Sequence, residues 1–487
     1  MRRNQHSLFV SVVVLGGAAC SQHSMNDHSG SMVPKVIELP SWEGTFEGSA
    51  APDLDPSDTV VEVQLEAKET DVELAQGRRV RMWTYNGVLP GPRIEARVGD
   101  TVRVHFRNSL SEATTLHWHG LRVPNSMDGV PLVQAPIAPG GEFTYEFVVP
   151  DAGTFWYHPH IRSDEQAERG LYGTVLVRGP SEPETTSDRV VVLDDVLIDP
   201  ATWQLASFDP VMHAMVGRQG NVILANGRAH PIADVRPGGL HRYRVVNAAT
   251  ARYFRLSLPG KPLMLIGTDG GLLETPQEVS EVLLVPGERA DVLVTADASS
   301  PPLEWKTLRY DRGHGTGAIA DATVWQTRNT SESDIVTPPI PSSLGAIDEL
   351  PAPTTTRELR LEESLPSGGD HSGHGSGGMG PIFSINGRVY PDSEPLRSTL
   401  DAVEDWAIVN TTDMDHPFHL HGFRFQIVSE NGSAPSFRAW RDSINVQAKQ
   451  TVRIRVRFEE NPGTWMFHCH ILEHAERGMM GELAVTR

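Results

Sequence analysis

Trp465-Met466-Phe467-His468-Cys469-His470-Ile471-Leu472-Glu473-His474, with Met479 five residues further on, sets the reading of the chain. The only other cysteine is Cys20, close to the N-terminus, so the Cys469 thiol has no disulfide partner and is explained by burial or by chemistry. Side chains alternate across an extended strand, which sends His468 and His470 to one face and Cys469 to the other. A thiolate, His474 and the thioether of Met479 form a soft ligand set that suits copper, given one more imidazole from elsewhere in the chain.

The 487 residues predict roughly three domains of about 150 residues each. Glycine (44) and proline (36) are abundant, aromatics make up only 7%, and long helical periodicities are scarce, which favours all-β domains with many turns. The net charge of −20 argues against a nucleic-acid partner, because no basic tract exists to neutralise phosphates.

Residues 1–20 read as an export signal: Met1-Arg2-Arg3-Asn4 is basic, Leu8 to Leu15 is apolar, and Gly16-Gly17-Ala18-Ala19-Cys20 is a small-residue cleavage region. The apolar run is too short for a permanent membrane span. Cys20 after Gly-Ala-Ala resembles a bacterial lipoprotein box, with Gly17 where that motif prefers leucine. The protein is therefore expected to be exported to the periplasm, as a lipoprotein anchored at Cys20 or as a freely cleaved form, and to act as a monomer. Residues 21–55, rich in His, Ser, Gly, Asp and Pro, are expected to be a flexible tether.

From about residue 56 the chain repeats itself. Asn-Gly turns at Asn86-Gly87, Asn226-Gly227 and Asn386-Gly387 are each followed, 21 to 24 residues later, by a strand that ends in asparagine at Asn108, Asn247 and Asn410. Three copies imply three similar β-domains, placed at 56–180, 188–330 and 355–487, with polar, proline-bearing linkers near 179–188 and 329–356. The outer copies match further. His117-Trp118-His119-Gly120 corresponds to His419-Leu420-His421-Gly422, and the segment ending His158-Pro159-His160 corresponds to the one ending His468-Cys469-His470. Proline replaces cysteine in the first copy, and the middle copy has neither pair, which makes it a spacer. Parallel imidazoles on one strand face are what a multi-metal site needs.

These four His-x-His motifs resemble those of the multicopper oxidases, the family of laccases and copper-efflux oxidases, over roughly residues 56–487. The resemblance implies three cupredoxin-like Greek-key β-barrel or sandwich domains and four copper ions, one type 1, one type 2 and two type 3. Carried over residue by residue, it supplies His416 as the missing imidazole, so that type 1 takes His416, Cys469, His474 and axial Met479, with Met480 the competing thioether. Type 2 takes His117 and His419. One type 3 ion takes His119, His158 and His470, and the other takes His160, His421 and His468. The activity implied is one-electron oxidation of a reducing substrate at the type 1 site, through an exposed edge of His474, coupled to four-electron reduction of dioxygen to water. Asp128, nine residues after His119, stands where the family keeps a proton-relaying acid. Read from its neighbours alone, it is a turn aspartate before Gly129.

One position departs from the efflux-oxidase pattern. Ala475 stands where those enzymes place an acid, and the flanking Glu473 and Glu476 are expected to be solvated charges. The His371–Met379 tract and Met212-His213-Ala214-Met215 are candidate copper-capturing segments, against a Gly/Ser loop and ordinary apolar packing. The leading expectation is a laccase-like oxidase of phenols or aromatic amines, and the alternative is a metallo-oxidase acting on Cu(I) in copper tolerance. A copper nitrite reductase would lack the four paired motifs, and a non-catalytic member of the family would have lost ligands that are all present here.

Overall fold

A computed structural model of the chain describes residues 34–208, 212–296, 302–313, 316, 320–331, 336–364 and 381–487. The export signal, Cys20, the tether up to residue 33 and the His371–Met379 tract lie outside the described residues.

The three Asn-Gly turns each place both residues at positive φ: 55° and 76° at Asn86-Gly87, 49° and 72° at Asn226-Gly227, 54° and 68° at Asn386-Gly387. That conformation favours asparagine followed by glycine. Each turn asparagine also accepts, through Oδ1, from a strand N–H, of Glu66, Val192 and Arg360 respectively. The strand-terminal asparagines form a second set. Asn108, Asn247 and Asn410 each donate Nδ2 to two carbonyls, at Glu112 and Ile137, Arg252 and Leu284, and Met414 and Val446. The repeat is thus a repeated solution to satisfying buried backbone groups.

Three two-sheet β-sandwiches result, the cupredoxin-like all-β architecture. In each, the first long strand runs parallel to the asparagine-ended one: Val60–Ala75 beside Thr101–Asn108, Ser187–Val196 beside Leu240–Asn247, and Thr355–Ser364 beside Val403–Asn410. Alternation along Thr101–Asn108 buries Val102, Val104 and Phe106 and leaves Thr101, Arg103 and His105 facing outward. The His-x-His motifs lie in the second sheet of each outer sandwich. His117–His119 pairs with Gly153–His158 in the first, and His416–Leu420 pairs with Gly463–Cys469 in the third. A further apolar cluster, including Leu74, Met82, Trp156 and Tyr172 with Val190, Val192 and Val222, joins the first sandwich to the middle one.

The tether expected over 21–55 is corrected for residues 34–55. Ile37 N–H donates to the Asn221 carbonyl (2.7 Å), Trp42 N–H to His230 (3.0 Å) and Ala51 N–H to Arg93 (2.8 Å), so the segment is a strap across the middle and first sandwiches. Composition concealed the apolar residues that hold it. Phe46 is 3% exposed in the middle core, its ring 6.4 Å from that of Trp325. Phe46→Ala should therefore lower stability by about 3–5 kcal/mol, the usual cost of emptying a buried aromatic site. Chemical denaturation would read this as an earlier midpoint, and an unchanged midpoint would show that the strap adds nothing to the fold.

Candidate metal centre

The pleat at residues 468–470 separates two sites. On one face, Cys469 Sγ lies 3.5 Å from His416 Nδ1 and 3.8 Å from His474 Nδ1, and the two nitrogens are 3.2 Å apart. Thr412 Oγ1, 2.9 Å from His416 Nε2, fixes that ring by its far nitrogen. Met479 shares the core cluster of Cys469, whereas Met480 packs with Val130, Met466 and Ala475. Adjacent residues entering the Met480–Thr486 strand thus face opposite ways, and the thioether on the thiol side is that of Met479. Burial holds the Cys469 thiol well above its ordinary pKa, so only a strong counter-charge such as a metal ion stabilises its thiolate here.

On the other face the eight paired histidines converge. Their potential ligand atoms form the groups His119, His158, His470 and His160, His421, His468, with His117 and His419 grouped beside His119; within each group the atoms lie within 4.8 Å of one another. The two chain halves interleave: His117 stacks on His421 at 4.0 Å and His119 on His419 at 3.8 Å between ring centroids. Each outer sandwich supplies four imidazoles, and neither completes a group of three from its own residues.

The second nitrogen of most of these rings is tied down, which fixes the tautomer. His117 Nδ1 donates to the Asp128 carbonyl (2.8 Å), His158 Nδ1 to Pro159 (3.0 Å), His468 Nδ1 to Cys469 (2.9 Å), and His421 Nδ1 to Asp128 Oδ2 (3.0 Å). The inward nitrogens, His117 Nε2, His119 Nδ1, His158 Nε2, His419 Nε2 and both of His470, are buried with no protein partner. Burial, reinforced by neighbouring imidazoles, pushes His119, His158, His160, His421 and His470 well below the usual range and His468 down to about 3. Each neutral ring keeps one lone pair: at His117, His119, His158 and His419 the inward nitrogen has no protein donor, and the Nε2 atoms of His160 and His421 face His468 Nε2 at 3.3 and 3.0 Å. Such a set fits metal ions and, with the thiol site beside it, fits copper.

Asp128 is the turn aspartate read from its neighbours, and it also lies against the histidine cluster. It caps the Asn125–Met127 turn, with Gly129 at φ +76° because a Cβ there would lie 1.8 Å from the Leu116 carbonyl oxygen, and its carboxylate is 1% exposed among cluster histidines.

Three expectations are corrected. His474 has no exposed edge: it is fully buried, with Phe383 of the Ile382–Ile385 strand stacked on it at 3.9 Å and 20°. Glu473 is not a solvated charge. It is buried, its Oε1 accepts the Arg218 backbone N–H (2.7 Å), and burial raises its pKa to about 8. Glu476 is exposed yet engaged, accepting from Ser163 N–H and Oγ at 2.7 and 2.8 Å. The middle sandwich is also more than a spacer. Gly287 packs so tightly on the cluster that a Cβ there would fall 2.9 Å from His119 Cε1 and 3.1 Å from His470 Cδ2. The Arg312 carbonyl accepts from Asp415 N–H (2.7 Å), next to His416.

Asp442, Ser443, Arg289 and Phe383 were not singled out in the sequence. No local motif marks them, since each acts on histidines far away in the chain. Met212–Val216 forms a short helix against Leu472–Glu476, the helix that carries His474; the Met212 side chain lies outside the described residues.

Three family profiles described as multicopper oxidase match residues 66–182, 156–305 and 365–487. A multicopper oxidase of Mycobacterium tuberculosis, MmcO, is 34% identical over 449 residues, covering 84% of each chain. Among solved structures, a Campylobacter jejuni multicopper oxidase titled a metallo-oxidase is 31% identical with a TM-score of 0.81, covering 93% of this chain and 98% of its own. A laccase from Pediococcus acidilactici is 28% identical with a TM-score of 0.79, covering 94% and 97%. With profiles matching all three sandwiches and four His-x-His motifs drawn into one buried cluster beside a thiol site, the chain belongs to the multicopper oxidase family.

Proposed function

We propose that the protein is a laccase-like oxidase that couples one-electron oxidation of phenols or aromatic amines to four-electron reduction of dioxygen to water. The observation that carries this reading is the set of buried imidazole nitrogens that converge without protein partners beside, but on the opposite strand face from, the Cys469 thiol. In this reading His416, Cys469, His474 and Met479 would hold type 1 copper, and His117 and His419 would hold type 2. His119, His158 and His470 would hold one type 3 ion, and His160, His421 and His468 would hold the other. When bound, the four ions supply the one-electron acceptance and the multi-electron reduction of dioxygen.

The chain's own residues supply the rest. Cys469 is bonded through the backbone to both His468 and His470, and the His468 Nδ1–H donates to the Cys469 carbonyl, so the thiol site and the cluster are joined by a short covalent and hydrogen-bonded path. Reducing one dioxygen to two waters consumes four protons. Asp128, held against His117 and His421, is the carboxylate we assign to proton delivery. Phe383, itself fully buried, stacks on His474 and shields it from water.

A metallo-oxidase acting on Cu(I) is the second reading. It is favoured by the Met212–Val216 helix, whose His213 and Met215 lie on an element packed against the one bearing His474, and by the similarity to the Campylobacter jejuni metallo-oxidase. We also place the protein in the periplasm, anchored through Cys20, on the pattern of residues 1–20.

Turnover of a phenol and of Cu(I), each measured as oxygen uptake by copper-loaded protein, separates the two readings. The laccase-like reading expects phenol turnover to survive Met215→Leu, and turnover of Cu(I) alone, lost in that variant, would replace it. Membrane fractionation tests the anchor: wild type should sediment with membranes and Cys20→Ala should not, whereas a wholly soluble wild type would mean plain cleavage.

A further inference from the structure

Arg289 opens the Arg289–Thr295 strand of the middle sandwich, the unit without copper motifs, and its side chain is fully buried. All five of its side-chain N–H groups are used. Nε donates to the Thr154 carbonyl (2.9 Å), in the strand that carries His158. Nη1 donates to the Gly287 carbonyl (3.0 Å) and to Asp442 Oδ1 (2.7 Å), and Nη2 to the Asp269 carbonyl (3.0 Å) and to Asp442 Oδ2 (2.6 Å). One guanidinium thus ties together all three sandwiches, and its fork grips Asp442 at both oxygens. A lysine, with three donors around a single point, cannot reproduce that geometry.

Asp442 is in turn the residue that orients two histidines from different sandwiches. Its carbonyl accepts from His419 Nδ1 at 2.9 Å, and its Oδ1 lies 3.2 Å from His119 Nε2. Ser443 Oγ, 3.0 Å from Asp442 Oδ1, sits 3.2 Å from the same two ring nitrogens. The rings are stacked 11° from parallel. With those nitrogens engaged, His119 presents Nδ1 inward and His419 presents Nε2, two atoms that have no protein partner. His119 differs in this from His158, which ties down Nδ1 and presents Nε2, so its tautomer must be imposed from outside the ring.

Desolvation largely offsets the attraction within a buried ion pair, so stability alone is a weak reason for so fully bonded a pair at this place. We propose that Arg289 of the middle sandwich is a positioning residue for the copper cluster: by clamping Asp442 it fixes the tautomers of His119 and His419, and hence which nitrogens face the metal. Without the fork only the Ser443 hydroxyl would hold the carboxylate, and the His119 ring would lose its fixed acceptor. The proposal rests on the ligand assignment above, in which His419 serves type 2 copper and His119 serves type 3.

The test uses copper-loaded wild type, Arg289→Lys and Asp442→Asn. Three things are measured: the blue absorption of the thiol site, the electron paramagnetic resonance of type 2 copper, and the rate at which the dithionite-reduced protein reoxidises in air. Lysine keeps the charge but loses the fork, and asparagine keeps the shape but loses the second acceptor oxygen. Both should retain the blue band, because Cys469, His416 and His474 touch neither residue. Both should shift the type 2 hyperfine splitting and slow reoxidation about 10- to 100-fold, the usual effect of removing a partner behind a ligand histidine. Either variant alone decides the matter if the other does not fold. A wild-type type 2 signal and reoxidation rate in the folded variant would overturn the proposal and leave Arg289 as a tie between sandwiches. Loss of the blue band together with the type 2 signal would also overturn it, as general disruption. Failure of the ligand assignment itself is recognisable separately, since His419→Ala would then leave the type 2 signal of the copper-loaded protein unchanged.

Discussion

The alternation of side chains along the Gly463–Cys469 strand is the constraint on which everything else in the molecule depends. Because successive residues point to opposite faces, one peptide unit separates a thiol site built within the third sandwich from a histidine cluster shared with the first. The register makes the separation specific: Phe418 lies opposite Cys469, and His419 opposite His468. A slip of one residue would put an imidazole where the thiol stands and the thiol where an imidazole stands. The first sandwich has the same strand geometry, with His117 opposite His158, but carries proline where the thiol would be. It therefore supplies imidazoles to the shared cluster and no second thiol site.

Bringing so many imidazoles into one dry volume has an electrostatic consequence. Burial and mutual repulsion keep them neutral, so without a metal the interior holds a ring of unsatisfied acceptors. The fold meets this with outward anchors. Backbone carbonyls and two carboxylates, Asp128 and Asp442, hold the far nitrogens, and Asp442 is itself held by Arg289. Among the described residues the middle sandwich supplies none of the clustered imidazoles, yet it brings a glycine against two of them and an arginine behind the carboxylate that faces one.

What could be read in advance was local and repeated. The Asn-Gly turns, the asparagine-ended strands and the His-x-His pairs each encode their geometry within a few residues, so the three sandwiches and the residues drawn into the cluster were legible. What could not be read depended on distant partners. Residues 34–55 look like a tether by composition, and only the middle core shows what Phe46 packs into. Glu473 looks like a surface charge until Arg218, 255 residues earlier, presents its N–H. His474 looked accessible until Phe383, from a strand far back in the chain, proved to cover it. The Arg289–Asp442 pair spans 153 residues and has no signature at either end.

The central claim is that two sandwiches build one oxygen-reducing cluster separate from the thiol site, and His158→Ala tests it most directly. The copper-loaded variant would be bleached anaerobically with a reductant and then exposed to air. The account predicts a normal blue band that bleaches normally, because His158 lies on the first sandwich and away from Cys469, with colour returning slowly or not at all. Return of the colour at the wild-type rate, with normal oxygen uptake, would contradict it.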